Sequence, residues 1–362
     1  MKRLLPILLL IAITSPAIAQ TCAQTLRLAR ATYEQGRLHE IETQLAGCLK
    51  SPEQGGFSKD EKQLRVEAYK ILCLSYIYLE EPQKADEAML NLKRTDPYYT
   101  PNRDIDAAEF VALYNTFRKE PIYRLGFKLG GTFSRPHVKE QITAVELAED
   151  SEYKSLFAIQ LGASLDVPLN FLKEKQWTFH TELLYVQNKF EVDIKQRQLS
   201  PDNSAGLNEF EGIEIQDRLA LPLLLEYEFL KPRENQKYKP YISLGLTPDY
   251  MFTSRMTVER AKDGQAGVPE KTEELNPQRE QFQLAATTAL GVKAQAGPGN
   301  FVLELRYNYG LTNVSSSETA LQNQSLALDY GYVDSIFSLQ SFQISMAFLF
   351  NKHNPKKIFP KP

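Results

Sequence analysis

Histidine and carboxylate side chains are the residues of this 362-residue chain with the clearest capacity for chemistry. His180 and Glu182 stand two positions apart in a segment with strand periodicity, so they share one face and the carboxylate could orient the imidazole for acid–base catalysis. The other histidines, His39, His137 and His353, are scattered without the spacing of zinc ligands. The sequence contains no nucleophile elbow and no phosphate-binding loop. We therefore predict an interior hydrogen-bonding histidine, and no catalytic, metal or cofactor site.

Charged residues at alternate strand positions form a second candidate site. Ten of them, five of each sign, oppose large apolar side chains: Arg124, Lys128, Asp166, Glu182, Arg218, Glu226, Asp249, Lys293, Glu304 and Arg306. An unpaired buried charge is very costly, so this balance is expected of a closed, ion-paired interior. A charged conduit for small solutes is the alternative. For Glu304 we expect a partner on a neighbouring strand, with Lys293 as the candidate.

The elements that would position these charges are strands. Residues 301–311 place a large apolar or aromatic side chain at every odd position and Val, Glu, Arg, Asn or Gly at the even ones. A period of two is typical of a strand. This length matches the roughly 9–11 residues of a tilted strand that crosses a bilayer. Similar segments recur through residues 121–351, and together they predict eight strands. For one such strand alone, a half-buried strand of a soluble sandwich is the alternative.

The connections between the segments alternate in length. Long polar loops are predicted near 135–154, 193–212, 256–280 and 313–337, and short turns near 169–176, 230–238 and 297–300. This layout is typical of an outer-membrane barrel. We therefore predict an eight-stranded antiparallel up-and-down transmembrane β-barrel over residues 121–351, followed by a basic C-terminal tail over residues 352–362.

The first residues have the features of an export signal. In residues 1–19, Lys2 and Arg3 precede an apolar run, and Ala17-Ile18-Ala19 forms a cleavage site. The apolar run is too short to cross a membrane, which favours a cleaved signal over an anchor.

Residues 20–120 have apolar spacings of three and four, which predict five helices. Cys22 opens the first helix and Cys48 closes the second, so antiparallel packing would favour a disulfide between them. Lipidation of Cys22 is the alternative, although Thr21 is not the small residue that a lipobox requires. Cys73 lies between apolar neighbours and is expected to be buried.

Two resemblances follow from these segments. The spacing of Tyr69, Leu72, Tyr76, Ala85, Met89 and Pro97 resembles the tetratricopeptide repeat. That resemblance implies a groove for a peptide or partner, with a self-packed helical spacer as the alternative. Residues 110–121, 123–131 and 239–245 resemble the Bacteroidota outer-membrane β-barrel family that includes the PorT-like proteins. This second resemblance implies a barrel, a helical domain in front of it, and involvement in protein secretion or gliding.

The sequence therefore predicts a non-enzymatic outer-membrane protein. Its barrel would contact membrane lipid and anchor the helical domain in the periplasm, where an unknown protein or peptide would bind residues 20–120. A barrel that binds or transports a small solute through its outer loops is the alternative. The net charge of −3 gives no indication of nucleic-acid binding.

Overall fold

The computed structural model of the protein describes residues 16–49, 59–142, 148–169, 176–199, 205–230, 237–262, 265–319, 322–330 and 332–358. The chain divides into two compact units. A helical unit comprises Met1–Pro121 together with His353–Pro362, and a β unit comprises Ile122–Lys352. Residues 352–362 were expected to form a separate tail. Instead Lys352 ends the last strand, and the residues after it belong to the helical unit.

The helical unit has helices α1 Pro16–Glu34, α2 Ile41–Leu49, α3 Lys59–Tyr78, α4 Pro82–Thr95 and α5 Ala108–Asn115. Gly36 separates α1 from α2 with a φ of 75°, a conformation that favours glycine. Most of the signal predicted over residues 1–19 lies outside the described residues, and α1 begins within its last part. None of the described helices is long and apolar enough to cross a membrane.

One apolar core holds the helical unit together. Every helix contributes to it, with fully buried side chains that include Ala29, Leu45, Ala68, Leu92 and Phe110. The stripes predicted at spacings of three and four therefore face one another. Burial of each large aliphatic side chain contributes about 1.5–3 kcal/mol.

The β unit has the strands β1 Tyr123–Glu140, β2 Ala148–Ser155, β3 Phe157–Pro168, β4 Trp177–Leu199, β5 Ala205–Ala220, β6 Leu223–Glu228, β7 Tyr238–Lys262, β8 Gln265–Glu274, β9 Phe282–Ala296, β10 Gly299–Gly310 and β11 Ile336–Lys352. Strand β6 continues β5 in the same register after an interruption at Leu221 and Pro222. The ring order is β4, β3, β1, β11, β10, β9, β7 and β5, and the pairing of β5 with β4 closes it. The predicted helical region followed by an antiparallel ring of eight strands is confirmed.

The prediction of long loops was wrong in three of four places. Strands β1 and β2 occupy much of 135–154, β4 and β5 much of 193–212, and β7 and β8 much of 256–280. These strands continue to alternate, but their outward side chains become polar and charged. On β4, for example, Phe190 and Val192 are buried, whereas Glu191 between them faces outward and pairs with Lys154 of β2. Only 313–337 is largely non-strand, and it contains the short helix α6 Gln324–Leu328.

Candidate functional site: the charged interior of the barrel

Four charged side chains meet near mid-height in the ring. Lys128 of β1 donates to Glu182 of β4 and to Glu304 of β10, both at 2.7 Å. Arg306 donates to Glu182 at 2.6 Å and, through Nε, to Glu304 at 3.0 Å. Tyr241 of β7 donates its hydroxyl to Glu304 at 2.7 Å. Two cations and two carboxylates thus compensate one another across the interior.

A second group of four lies towards the short-turn end. Lys293 of β9 donates to Asp166 of β3 and to Glu226 of β6, both at 2.6 Å. Arg124 of β1, paired in register with Asp166, approaches its carboxylate at 3.5 Å. This group again contains two cations and two carboxylates.

His180 joins the two groups. Its Nδ1 lies 2.5 Å from Asp166, and its Nε2 lies 2.8 Å from Glu182. A neutral imidazole donates through only one nitrogen, so two carboxylate neighbours favour the doubly protonated cation. The result is one connected network, hereafter the interior network, in which every charged member is at most 7% exposed. His180 is its central hydrogen-bonding member, and sequence reasoning had placed it inside the barrel without seeing that role.

The structure brings together eight of the ten predicted charges. The other two, Arg218 and Asp249, pair with each other at 2.7 Å, nearer the end at which β4, β5 and β7 extend beyond the apolar band. The predicted partnership of Glu304 with Lys293 was wrong. Lys293 pairs with Asp166 and Glu226 instead, because its side chain extends towards the short-turn end.

Three of these residues have the composition of a metal site. The ligand atoms of Asp166, His180 and Glu226 all lie within 4.8 Å of one another. However, the Lys293 ammonium bonds both carboxylates and already supplies the positive charge that a metal ion would bring. The geometry therefore favours an ion-paired core over a metal site.

Gly291 makes room for part of the network. It pairs in register with Tyr241, and a Cβ atom at this position would lie 2.4 Å from the Tyr241 ring. The absence of a side chain lets the tyrosine ring lie over the strand and reach Glu304.

A separate buried cluster, hereafter the outer cluster, lies beyond the apolar band of β5, which ends at Leu219. Arg279 donates to both oxygens of Glu214 at 2.8–2.9 Å and to both oxygens of Asp334 at 2.7–2.9 Å. Ser254 also donates to Glu214, and Tyr332 to Asp334, both at 2.9 Å. Burial opposes ionisation of Glu214, but the Arg279 guanidinium outweighs it and lowers the pKa of that carboxyl.

Sequence reasoning missed the outer cluster because two of its members lie in segments assigned to loops. Arg279 falls in 256–280 and Asp334 in 313–337. The available signal was the inward parity of Glu214, which continues the series of Gln216 and Arg218.

An apolar core surrounds the outer cluster. Phe210 stacks on Tyr332 with ring centroids 4.6 Å apart, and Phe190 meets Phe337 edge-on at 6.0 Å. The Arg279 guanidinium lies 5.3 Å from the Phe337 ring. Met256, Val258, Leu275 and Leu326 complete the packing. This end of the barrel is therefore filled by side chains.

A cavity lies between the outer cluster and the interior network. Its volume is about 50 Å³, counted as space open to the centre of a water molecule. A single water needs about 10–15 Å³ on that measure, so a few waters or one small molecule would fit. The lining is mixed and includes Leu184, Ala220, Leu339, Arg218, Arg306, Asn308 and Gln343. Among the described residues, nothing hydrogen-bonds to the buried Oε1 of Gln343.

The helical unit contains the predicted cysteine pair. Cys22 and Cys48 are joined by a disulfide, with Cα atoms 4.9 Å apart. Cys73 is a buried free thiol. Burial, reinforced by the charge of Asp86, raises the pKa of Cys73 to about 12, which makes it unreactive.

The outer surface of the ring is apolar. Large side chains remain exposed at outward positions of all the ring strands, among them Phe127, Leu161, Leu183, Leu225, Leu244, Leu290, Leu305 and Ile344. Aromatic residues flank this band, with Trp177, Tyr227 and Tyr238 at the short-turn end and Tyr185, Tyr250 and Phe282 at the other. An apolar exterior around a charged interior inverts the pattern of a soluble protein and defines a transmembrane β-barrel.

The chain belongs to the outer membrane protein beta-barrel domain family, whose profile matches residues 119–316. This membership supports the outer membrane as its location. No curated protein matches the chain significantly.

Solved structures of outer-membrane proteins are similar to this chain at low identity. OprG from Pseudomonas aeruginosa is 13% identical, with a TM-score of 0.32, over 62% of this chain and 96% of OprG. AlkL is 11% identical, with a TM-score of 0.34, over 65% of this chain and 92% of AlkL. Neisserial surface protein A is 10% identical, with a TM-score of 0.26, over 63% of this chain and 96% of its own.

Proposed function

We propose that the protein is a non-enzymatic outer-membrane anchor. Its barrel would hold a tetratricopeptide-like helical module in the periplasm, and the module would bind a protein or peptide during assembly of an envelope or secretion complex of the PorT-like kind. Residues 1–19 would direct export, and the Cys22–Cys48 disulfide would form in the oxidising periplasm.

The interior network is the observation that supports an anchor most strongly. It ties together side chains from β1, β3, β4, β6, β7, β9 and β10, so charged groups span the interior in several directions. An eight-stranded barrel has an interior just wide enough to be filled in this way. A filled barrel suits attachment better than conduction.

The topology supports the periplasmic placement of the helical unit. The first ring strand begins and the last ring strand ends at the short-turn side, and Tyr123 pairs with Lys352 there. In outer-membrane barrels the short turns are periplasmic and the longer segments are extracellular. Here β1, β4, β5 and β7 extend beyond the apolar band at the opposite side. The two chain connections to the helical unit therefore leave from the side that we assign to the periplasm.

The interior also supports a non-enzymatic role. Both ring nitrogens of His180 face carboxylates, so the imidazole has no free nitrogen with which to accept a substrate proton. The hydroxyls nearest the network, such as Tyr241, are themselves donors within it.

Site-specific photo-crosslinking in cells tests this proposal. A photoreactive residue at Tyr78 or Ile105, which are 51% and 79% exposed, should capture a periplasmic protein. The matched control is exposed Glu259 on β7, at the long-loop side. Capture from Glu259 alone would refute the partner-binding role of the helical unit.

Bilayer recording supplies the second test. The purified barrel should show no discrete conductance steps, whereas a Glu304→Ala/Arg306→Ala double variant should begin to leak because two members of the network are removed. Steady conductance by the unaltered protein would favour the transport alternative.

The cavity favours a second candidate, a barrel that binds a small ligand. Its wall includes Pro222, and Pro248 lies on the neighbouring strand. Because proline lacks an N–H, each leaves a gap in the backbone ladder of this wall. Titration of the protein in nanodiscs with phenol, followed by the NMR shift of the Gln343 amide side chain, would test it. Absence of a saturable shift up to millimolar phenol would count against this candidate.

A further inference from the structure

The segment 353–358 folds back onto the helical unit and pairs with it. Ile358 donates its N–H to the Thr116 carbonyl at 2.7 Å, and Arg118 donates its own to the Lys356 carbonyl at 3.0 Å. These bonds form an antiparallel bridge between Phe117 and Lys357. Phe117 itself is buried in the core of the unit, so the segment pairs with a fixed template.

One ion pair fixes the register of this pairing. The Lys357 ammonium donates to both Asp86 oxygens at 2.7 and 2.5 Å. Backbone bonds alone accept many sequences, so a side-chain contact of this kind is what selects one. The site therefore prefers a basic residue opposite Asp86.

The segment buries little apolar surface in return. Ile358 remains 51% exposed, and Asn354 and Lys356 are exposed as well. Both members of the Lys357–Asp86 pair keep about a third of their side-chain surface exposed, at 32% and 30%. Exposed ion pairs contribute little stability. The contacts are thus specific in geometry but weak enough to be exchanged.

Beneath the segment lies a buried cation without an acidic partner. Lys93 is 4% exposed, and its ammonium donates to the Arg118 carbonyl at 3.3 Å and lies 3.8 Å from the centre of the Tyr114 ring. Among the described residues no carboxylate pairs with it. Burial and the nearby Lys119 lower the pKa of Lys93 to about 8.

The covering segment leaves a small cavity above this lysine. Its lining consists of Lys93, Pro97, Arg118, Glu120, His353, Asn354 and Pro355, and it is large enough for about one water. Asn354 and Lys93 line the same cavity, so a carboxylate in place of Asn354 would add an anion beside the buried ammonium, in addition to Glu120. The position is three residues before Lys357, the residue that meets Asp86.

We propose that this face of the helical unit is a peptide-binding site that the chain's own segment 353–358 occupies, and that the partner binds by replacing it with an extended segment carrying an acidic residue three positions before a basic one. The acidic residue pairs with Lys93, the basic residue pairs with Asp86, and the backbone bonds to Thr116–Arg118. The proposal rests on the partner-binding role above and gives that role a location and a ligand chemistry.

Peptide binding to the purified protein in nanodiscs tests the proposal. A fluorescent peptide of residues 352–362 should bind a chain truncated after Lys352 at least tenfold more tightly than the intact chain. The same peptide with Asn354→Asp should bind the truncated chain more tightly still. A Lys357→Glu peptide should lose binding and regain it on an Asp86→Lys truncated chain.

The controls separate misfolding from failure of the idea. The truncated chain must retain helical circular dichroism and a Cys73 that resists alkylation. If it does not, hydrogen exchange of the intact Asp86→Asn variant replaces this test. The amides of Arg118 and Ile358 should exchange faster in that variant than in the unaltered protein. Equal binding to intact and truncated chains, or a peptide indifferent to Asp86, would overturn the proposal. If the peptide binds but no periplasmic protein is captured by crosslinking, the peptide-binding site is supported and the proposed anchor function is refuted.

Discussion

The two units of this chain bury opposite kinds of side chain. The helical unit packs apolar residues such as Leu45, Met89 and Leu92 inside and joins its first two helices by a disulfide. The barrel turns its leucines and phenylalanines outward and fills its interior with paired charges. Each unit hides what its surroundings do not solvate, because water surrounds one and lipid surrounds the other. The free-energy cost of exposing a leucine therefore depends on whether the surrounding solvent is water or lipid.

The largest expected effect is at the outer cluster. Arg279→Leu leaves Glu214 and Asp334 buried beside each other without a cation, which should cost about 3–5 kcal/mol of barrel stability. Urea unfolding in lipid vesicles measures this. Adding Glu214→Gln and Asp334→Asn should recover much of the loss, and a triple variant no better than Arg279→Leu would show that the charges were not the cause.

The disulfide should affect the helical unit alone. Cys22→Ser opens a loop with a sequence separation of 26, worth about 3 kcal/mol on the chain-entropy model. Thermal melts should show the helical signal shifting downward while the heat-dependent gel mobility of the barrel stays constant. A Cys73→Ser variant keeps the disulfide and controls for loss of a sulfur. An equal shift in both units would show that the helical unit and the barrel do not unfold independently.

A matched pair of leucines tests the contrast of solvents directly. Leu305 and Leu28 are similarly exposed, at 48% and 57%. Leu305→Arg on the lipid face should cost about 2–4 kcal/mol near the bilayer midplane. Leu28→Arg on a water-facing helix should change stability by less than about 0.5 kcal/mol. Equal costs in vesicle unfolding experiments would mean that the band around β10 does not meet lipid.

The smallest effect concerns pairing inside the interior network. Glu304→Gln weakens the hydrogen bonds that Lys128 and Arg306 donate to this position. It should lower the stability of the barrel by about 1–3 kcal/mol. Adding Lys128→Met should restore part of that loss, because it removes one stranded charge. Adding Lys293→Met should destabilise the barrel further, since Lys293 forms ion pairs with Asp166 and Glu226. Recovery of stability with Lys293→Met would instead indicate that Glu304 pairs with Lys293, contrary to the structure.

The sequence predicted periodic features well. A spacing of three and four gave the helices, and a period of two gave the eight ring strands together with the inward placement of residues such as Lys128 and Glu304. Parity along a strand decides which face a side chain takes, so no knowledge of neighbours was needed.

Contacts across the interior could not be predicted in the same way. Lys128 and Glu304 are 176 positions apart, and their meeting depends on strand tilt and on the reach of each side chain. The sequence predicts loops where the strands extend beyond the lipid, because the outward residues there are polar. The bridge between Phe117 and Lys357 has no periodic signal on either side.

That bridge also sets an order of events. Residues 353–358 pair with the helical unit, yet they follow the last ring strand in the chain, so the proposed export would deliver them to the periplasm only after the ring strands. Helices α1 to α5 would pack as they enter the periplasm, whereas the last edge contact waits for the rest of the chain. A polypeptide interrupted anywhere in the barrel would therefore carry a packed but uncovered module. The covered face would therefore mark a molecule whose export has passed the last ring strand, β11.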